Sequence, residues 1–252
     1  MTKVFSRPKS MKECQTHYCA GCGHGIIHRI VCEIIDELSL REKTIAVAPV
    51  GCAVLAYDYW DFDVAEAPHG RTPAVATGIK RVCPDKFVFT YQGDGDLAAI
   101  GTSEIIHTAN RGENISVVFV NNGVYGMTGG QMAPTTLLGQ TSATTHPCRD
   151  KELDGFPLKI TEMLACLKGV SYLERVSVDS PKEISNTKRA IKKSFEIQLA
   201  RKGFSLVEIL SPCPTYWGLS PVKSMERIRE NVVKEYPIGV IKDIVKNGYK
   251  KL

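Results

Sequence analysis

Two groups of residues in this chain have the types and spacing to do chemistry. The first is Gln92-Gly93-Asp94-Gly95-Asp96, a glycine-rich turn carrying two carboxylates. Bare backbone N–H groups opening a helix suit phosphate. The dinucleotide pattern G-x-G-x-x-G fails here, because Ala98 stands where its third glycine belongs. Asp94 would repel a diphosphate unless a divalent cation lay between them, and Mg²⁺ is held that way, by one or two carboxylates together with ligand phosphates and water. Taken alone, the turn is equally a tight strand-to-helix connection in which Asp96 caps the helix. Support comes from Asn121-Asn122-Gly123-Val124-Tyr125-Gly126, where Asn122 follows Asp94 by 28 residues. That interval fits one helix and one strand, so an amide oxygen at Asn122 and a carbonyl at Val124 can complete an octahedral oxygen shell. Asn-Gly is otherwise an ordinary turn dipeptide.

The second group is sulfur. The chain has nine cysteines, of which Cys19 and Cys22 form a C-x-x-C pair beside Gly21 and Gly23, while Cys52 and Cys213 stand far away in sequence. Four thiolates suit tetrahedral zinc or one [4Fe–4S] cluster, and spacing alone does not choose between them. His17, His24 and His28 flank the pair and read as neighbours of such a site, since Cys52 and Cys213 complete four ligands. Cys32 and Cys166 fall in helical apolar patterns and are expected in the core. Cys14, Cys83 and Cys148 lie near turns and read as unliganded thiols.

The elements that must position these residues alternate between short β-rich runs and longer helical patterns. Strands are expected at 44–48, 63–67, 86–91, 115–120, 172–178 and 204–210. Helices are expected over 26–38, 73–82, 96–109 and 181–201, the last with Lys188, Arg189, Lys192 and Lys193 on a solvated side, and over 221–235 near the end of the chain. Strands joined by crossover helices make a doubly wound, mostly parallel α/β sheet. Each candidate residue then follows a strand: Gly51-Cys52 the first, Pro68-His69-Gly70-Arg71 the second, Gly93 to Asp96 the third, Asn121-Asn122 the fourth, and Pro212-Cys213-Pro214 the last. In open parallel sheets, ligands bind outside the carboxyl ends of the strands. The stretch 128–154 has no period, and a loop that long inside a compact domain is usually functional.

Composition excludes several classes. With 252 residues, 43% hydrophobic and 23% charged, the chain is neither disordered nor fibrous. It has no run approaching a membrane span, no apolar stretch near its start of the kind a secretory signal needs, and no basic-aromatic pattern suited to nucleic acid. A cytoplasmic location is expected, where cysteines in number point to metal, cluster or redox roles before disulfides. The net charge of +5 is read as surface lysine near the end, at Lys242, Lys246, Lys250 and Lys251.

In combination, HYCAGCGHG, VGCA, PHGR, YQGDGDLAAIG, VNNGVYGMTGGQMAPTT and SPCPT resemble the β subunit of 2-oxoacid:ferredoxin oxidoreductases, over about residues 14–220. The spacing from GDG to NN also resembles the thiamine-diphosphate motif. That resemblance implies a diphosphate-binding domain of the thiamine-diphosphate fold filling residues 1–252, with a cluster segment at about 14–25 and a C-terminal helical tail at about 221–252. It implies that Asp94, Asn122 and the Val124 carbonyl hold Mg²⁺, and that Cys19, Cys22, Cys52 and Cys213 ligate a [4Fe–4S] cluster near thiamine diphosphate. Gly51, Cys52, His69, Gly93, Gly95, Asp96, Gly126 and Met127 would line the cofactor, with His69 binding the diphosphate or assisting proton transfer. Arg71 would neutralise an anionic group or simply start a helix.

The implied reaction is decarboxylation of a 2-oxoacid, with thiamine accepting the electrons, the cluster passing them singly to ferredoxin, and coenzyme A taking the acyl group. The carboxylate that activates thiamine belongs in this family to a pyrimidine-binding domain, expected on a separate α subunit, with further small subunits (γ and δ) in some members. The segment 125–131 carries no Lys or Arg to pair with a second carboxylate, which leans away from 2-oxoglutarate, and MAPTTLLGQ resembles branched-chain (2-oxoisovalerate) members of the family, so a branched-chain 2-oxoacid is expected ahead of 2-oxoglutarate or pyruvate. The alternatives are a non-redox thiamine-dependent decarboxylase with structural zinc, and a zinc-binding interaction module.

Overall fold

A computed structural model describes residues 6–245 of the chain. In chain order its elements are α1 (His24–Glu37), β1 (Thr44–Pro49), α2 (Ala56–Tyr59), β2 (Asp63–Ala67), α3 (Thr72–Val82), β3 (Phe87–Gly93), α4 (Thr102–Asn110), β4 (Ser116–Asn121), β5 (Val124–Tyr125), β6 (Gln131–Met132), α5 (Ile160–Ala165), β7 (Val170–Ser177), α6 (Pro181–Leu199), β8 (Phe204–Leu210), α7 (Pro214–Trp217), α8 (Pro221–Arg227), α9 (Val233–Glu235) and β9 (Gly239–Asp243).

The central strands are buried on both faces, so they read as near-continuous apolar runs. Along β3, Phe87, Phe89 and Tyr91 pack with Ile27, Ile34, Ile191 and Phe195 of α1 and α6. Val88 faces the other way, with Leu97, Ile105 and Ile160. β4 divides likewise, Val118 and Val120 to one layer and Val117 and Phe119 to the other. The sheet order is β2-β1-β3-β4-β8-β7-β9, parallel throughout except for β9, which runs antiparallel to β7. From the neighbours β1 and β3 the chain winds outward in opposite directions, and their carboxyl ends form the crevice where such sheets bind ligands. α6 starts at Pro181, with the Ser180 hydroxyl accepting the Glu183 N–H at 3.3 Å, a cap that satisfies one of the first-turn donors.

The expected strands and long helices are present, with ends shifted by a residue or two. The helix expected over 96–109 is broken: Asp96–Ile100 forms a π-helical turn, closed by the Gly101 N–H on the Asp96 carbonyl at 2.8 Å. Gly101 is required there, because a Cβ would lie 2.6 Å from the Asp96 oxygen and 2.9 Å from the Gly70 oxygen. The expectation of a helical tail over 221–252 is corrected. Helical turns end at Glu235, and Gly239–Asp243 adds an edge strand whose partner, β7, is distant in sequence; residues 246–252, with Lys246, Lys250 and Lys251, lie outside the described residues. Cys32 is buried as expected, but Cys166 is exposed, because α5 ends at Ala165 and leaves it at the helix terminus. The lysines and arginine of α6 do more than face solvent: Lys188 and Lys192 pair with Glu33 and Glu37 of α1, Arg189 with Glu174, and Lys193 with Asp243. Among the described residues, no helix is long and apolar enough to cross a membrane.

A buried ion network supports the strand ends. Arg175 and Glu208, each 1% exposed, meet at 2.8 Å. The guanidinium also reaches both oxygens of Glu162, and the other Glu208 oxygen accepts the Asn121 side-chain N–H at 2.8 Å. Removing one partner of such a pair strands a buried charge, so Arg175→Met is expected to cost ~3–5 kcal/mol. Lys192→Met, at a half-buried surface pair with Glu37, is expected to cost under ~1 kcal/mol. Urea midpoints of the two variants check the contrast.

Candidate active site

Asp94 ends the turn after β3 and is buried. Its Oδ1 accepts the Gly95 N–H at 2.9 Å, and its Oδ2 accepts the Gly123 N–H at 2.7 Å and the Thr135 hydroxyl at 2.6 Å. The turn after β3 and the Asn-Asn-Gly turn after β4 therefore meet on one carboxylate. Asn122 sits in that turn, its Oδ1 accepting the Val124 N–H at 3.1 Å. Burial pushes the Asp94 carboxyl up to about 6, against the downward pull of Thr135, Gly123 and Gly95. A carboxylate so placed gains from a cation, and the nearby amide and carbonyl oxygens are the donors that hard cations take. Gly95 has a second role beyond exposing its N–H. The Tyr125 ring lies across it, so a Cβ would come within 2.2 Å of that ring, and the Tyr125 hydroxyl donates to the Gly95 carbonyl at 3.1 Å.

Asp96 does not cap a helix. Its Oδ1 accepts the Gly70 N–H at 2.5 Å and meets His69 Nδ1 at 2.8 Å, while its Oδ2 accepts the Gln92 amide at 2.7 Å. The carboxylate thus gathers the turn after β2 onto the turn after β3. Because an ionised carboxylate only accepts, Nδ1 carries the proton and Nε2 of a neutral ring is left as the acceptor. Arg71 is tied to Glu104 of α4, the reading of it as a helix-start residue.

The cysteines approach the same place. Cys19 and Cys22 close a turn through the Cys22 N–H on the Cys19 carbonyl at 3.0 Å. A Cβ built on Gly126 would lie 3.4 Å from the Cys52 sulfur and 3.8 Å from the Cys213 sulfur, so both lean over that glycine. Burial pushes the Cys22 thiol up to about 11, with Cys52 and Cys19 adding to it, and the Cys213 thiol up to about 12, with Cys22, Cys52 and Asp94 adding. Cys52 is raised for the same reasons, burial and then Cys19 and Asp94. Half-buried thiols that oppose one another's ionisation become thiolates only when a metal centre supplies compensating charge. Among the described residues, no three His, Cys, Asp or Glu side chains stand close enough together to hold a single metal ion.

Behind the sulfurs lies an aromatic and imidazole layer. Tyr18 stacks on His24 at 4.9 Å and donates to the Cys52 carbonyl at 2.8 Å, and His24 Nδ1 meets the Tyr91 hydroxyl at 2.5 Å. Burial, reinforced by His17, lowers His24 to about 4; burial, with His24 and His17, holds His28 well below its ordinary value. Both rings are neutral in the folded chain and take up protons near pH 6.5 once unfolded. The stability this contributes is complete above about pH 6.5 and is lost as pH falls towards 4, by ~3 kcal/mol for His24 alone. Thermal midpoints between about pH 7 and pH 4 are expected to fall accordingly.

An open cleft collects these parts at the carboxyl ends of β1 to β4. Gly51, Cys52, His69, Gly93, Asp94, Gly95, Asp96, Asn122, Val124, Gly126 and Met127, from turns widely separated in sequence, all border this cleft. Cys213 and Cys22 stand beside it rather than in its wall. Val50, Ala53, His24, Tyr125 and Thr128 also line it, and Thr135 supports it from below. Proximity in sequence to the motifs signals most of these. Thr135 carries no such signal, since it comes from the aperiodic stretch.

Comparison with known proteins follows the same lines. The family described as thiamine pyrophosphate enzyme, C-terminal TPP binding domain, matches residues 50–209. The chain is 49% identical over 240 residues to the ketoisovalerate oxidoreductase subunit VorA of Methanothermobacter thermautotrophicus, covering 95% of this chain and 50% of that protein. It is 38% identical to the 2-oxoglutarate synthase subunit KorB of Methanocaldococcus jannaschii, covering 86% of this chain and 78% of that one. Among solved structures, it superposes on a 2-oxoglutarate:ferredoxin oxidoreductase from Magnetococcus marinus, with 2-oxoglutarate, coenzyme A and succinyl-CoA bound, at a TM-score of 0.73 and 28% identity, covering 85% of this chain and 70% of the other. The chain spans about half the length of the ketoisovalerate relatives it matches.

Proposed function

The chain belongs to the 2-oxoacid:ferredoxin oxidoreductase family, as its thiamine-pyrophosphate-binding subunit, and on that premise we propose that it works with a partner subunit in the oxidative decarboxylation of a 2-oxoacid to an acyl-CoA and CO₂, with ferredoxin as electron acceptor. The observation that carries this reading is the single cleft into which four strand-end turns bring Cys52, His69 and the Asp94 and Asn122 oxygens, with the Cys213 sulfur beside it over Gly126. When bound there, thiamine diphosphate supplies the electron sink for loss of CO₂, and a [4Fe–4S] cluster on Cys19, Cys22, Cys52 and Cys213 supplies a one-electron outlet.

The remaining chemistry belongs to this chain's own residues. Asp94, Asn122 and the Val124 carbonyl would hold Mg²⁺ for the diphosphate, and the N–H groups of the glycine-rich turn would bind that anion. Asp96 fixes the His69 ring through Nδ1, so that Nε2 can exchange a proton with an anionic group or substrate in the cleft. Val50 and Met127, 44% and 43% exposed at the cleft wall, offer apolar surface for the α subunit that would bring the pyrimidine-binding domain and close the site. Further small subunits, ferredoxin and coenzyme A complete the set of partners, and the cytoplasm is the proposed location.

A branched-chain substrate is favoured. Among the described residues lining the cleft there is no Lys or Arg to pair with a second carboxylate, and the relative with 49% identity is named for ketoisovalerate. Ferredoxin reduction rates with 2-oxoisovalerate, pyruvate and 2-oxoglutarate, each with coenzyme A, test the assignment. A preference for 2-oxoisovalerate is the expected outcome, and a preference for the dicarboxylic acid would reverse it.

A further inference from the structure

We propose that Thr135 is a positioning residue for the cation-binding carboxylate: it locks Asp94 with one oxygen turned to the metal, and the aperiodic stretch from Thr128 to Phe156 is the scaffold that places it. This rests on the reading of Asp94 as a ligand of a divalent cation.

A threonine hydroxyl has one proton to donate. Thr135, itself 1% exposed, gives that proton to Asp94 Oδ2 at 2.6 Å, while the Gly123 N–H reaches the same oxygen at 2.7 Å. Two donors occupy Oδ2, whereas the Gly95 N–H reaches Oδ1 at 2.9 Å, which leaves Oδ1 the more open of the two oxygens to a cation. The carboxylate is thereby prepared to bind through one oxygen, in a fixed rotamer. Metal ligands are commonly oriented by such outer hydrogen bonds.

The scaffold is built for this task. Between Met132 and Ile160 there is neither helix nor strand, so side chains bonding to backbone join local backbone turns in ordering it. Arg149, buried, donates to the carbonyls of Pro134 at 2.9 Å and Thr136 at 2.6 Å on one side, and of Gly155 at 3.1 Å and Phe156 at 2.8 Å on the other. The Tyr236 hydroxyl holds the Thr135 carbonyl at 3.1 Å. Thr136 donates to the Gly123 carbonyl at 2.6 Å, so neighbouring threonines grip both the Asp94 turn and the Asn122 turn. Ordering so long a segment carries a large entropic cost, and the contacts that repay it converge on these two turns.

The test uses the enzyme assembled with its partner subunits, stripped of divalent cations, with thiamine diphosphate added. Mn²⁺ serves as the probe, since it shares the oxygen preference of Mg²⁺ and its free form is counted by electron paramagnetic resonance. Thr135→Val, equal in shape but without the donor, is expected to weaken Mn²⁺ binding by about 10- to 100-fold, and Thr135→Ser to restore parental affinity. Thermal midpoints of the cation-free assemblies report the fold separately. Arg149→Lys, which keeps the Thr135 and Asp94 side chains but loosens the segment that places Thr135, is expected to weaken Mn²⁺ as well, and carries the test if the valine variant does not fold. Parental affinity in the Val or Lys variant, or a serine variant as weak as the valine one, would overturn the positioning role. A parent enzyme that binds no Mn²⁺ would instead overturn the cation site itself.

Discussion

Replacing Cys52 with serine is expected to reduce the iron bound by this chain to background and to abolish electron transfer to ferredoxin with it. Cys52 holds the middle of the sulfur group. Its sulfur leans over Gly126 beside that of Cys213, its backbone carbonyl takes the Tyr18 hydroxyl, and its charge is felt at both Cys22 and Cys213. A serine hydroxyl fills nearly the same space but is a hard, reluctantly ionised oxygen where iron–sulfur centres require thiolate. The side chain is only partly buried, so the iron-free variant should unfold within about 1 kcal/mol of the iron-free parent. Iron and acid-labile sulfide analysis of protein purified without air, with a urea titration beside it, separates loss of the cluster from loss of the fold. Serine variants of Cys14, Cys83 and Cys148 should keep their iron.

Asp94→Asn is expected to be the most damaging change on the oxygen side of the cleft. Three donors converge on the carboxylate, from Gly95, Gly123 and Thr135. An amide in its place has a single acceptor oxygen, and whichever way it turns its NH₂ faces a backbone N–H that cannot reverse its role. That mismatch alone costs ~1–3 kcal/mol. The larger effect is on the cofactor, because the negative charge that would draw Mg²⁺ against the diphosphate disappears. Thiamine-dependent turnover should fall by ~100-fold or more, beyond what loss of an outer supporting residue costs. Raising Mg²⁺ and thiamine diphosphate together should recover part of the activity, whereas no such recovery is expected for Cys52→Ser.

Much of this was legible before any coordinates. Runs such as Val117–Val120, apolar at every position and rich in β-branched residues, read as strands buried on both faces, and the helical patterns between them favour parallel connections. Once the strands are parallel, their carboxyl ends share an edge, which is why Cys52, His69, Asp94 and Asn122 could be placed together from widely separated motifs. What stayed hidden depended on partners far away in sequence. Asp96 reads locally as a helix cap, but Gly70 and His69, brought from the end of β2, outcompete the helix for its oxygens. Gly239–Asp243 is too short and too exposed to announce a strand without β7 beside it. Cys166 fits an apolar helical period, yet α5 stops one residue short of burying it. Thr135 lies in a segment with no period at all, held by local backbone turns, a buried arginine and hydroxyls whose partners lie far away.

The most direct measurement is the visible absorption of the protein purified without air, with its co-purifying subunits, before and after adding 2-oxoisovalerate and coenzyme A. Iron–sulfur absorbance that bleaches on adding the 2-oxoacid, only when thiamine diphosphate and Mg²⁺ are present, and that fails to bleach in the Asp94→Asn protein, is the expected result. A colourless protein, or a coloured one whose spectrum the 2-oxoacid leaves unmoved with both cofactors supplied, would contradict it.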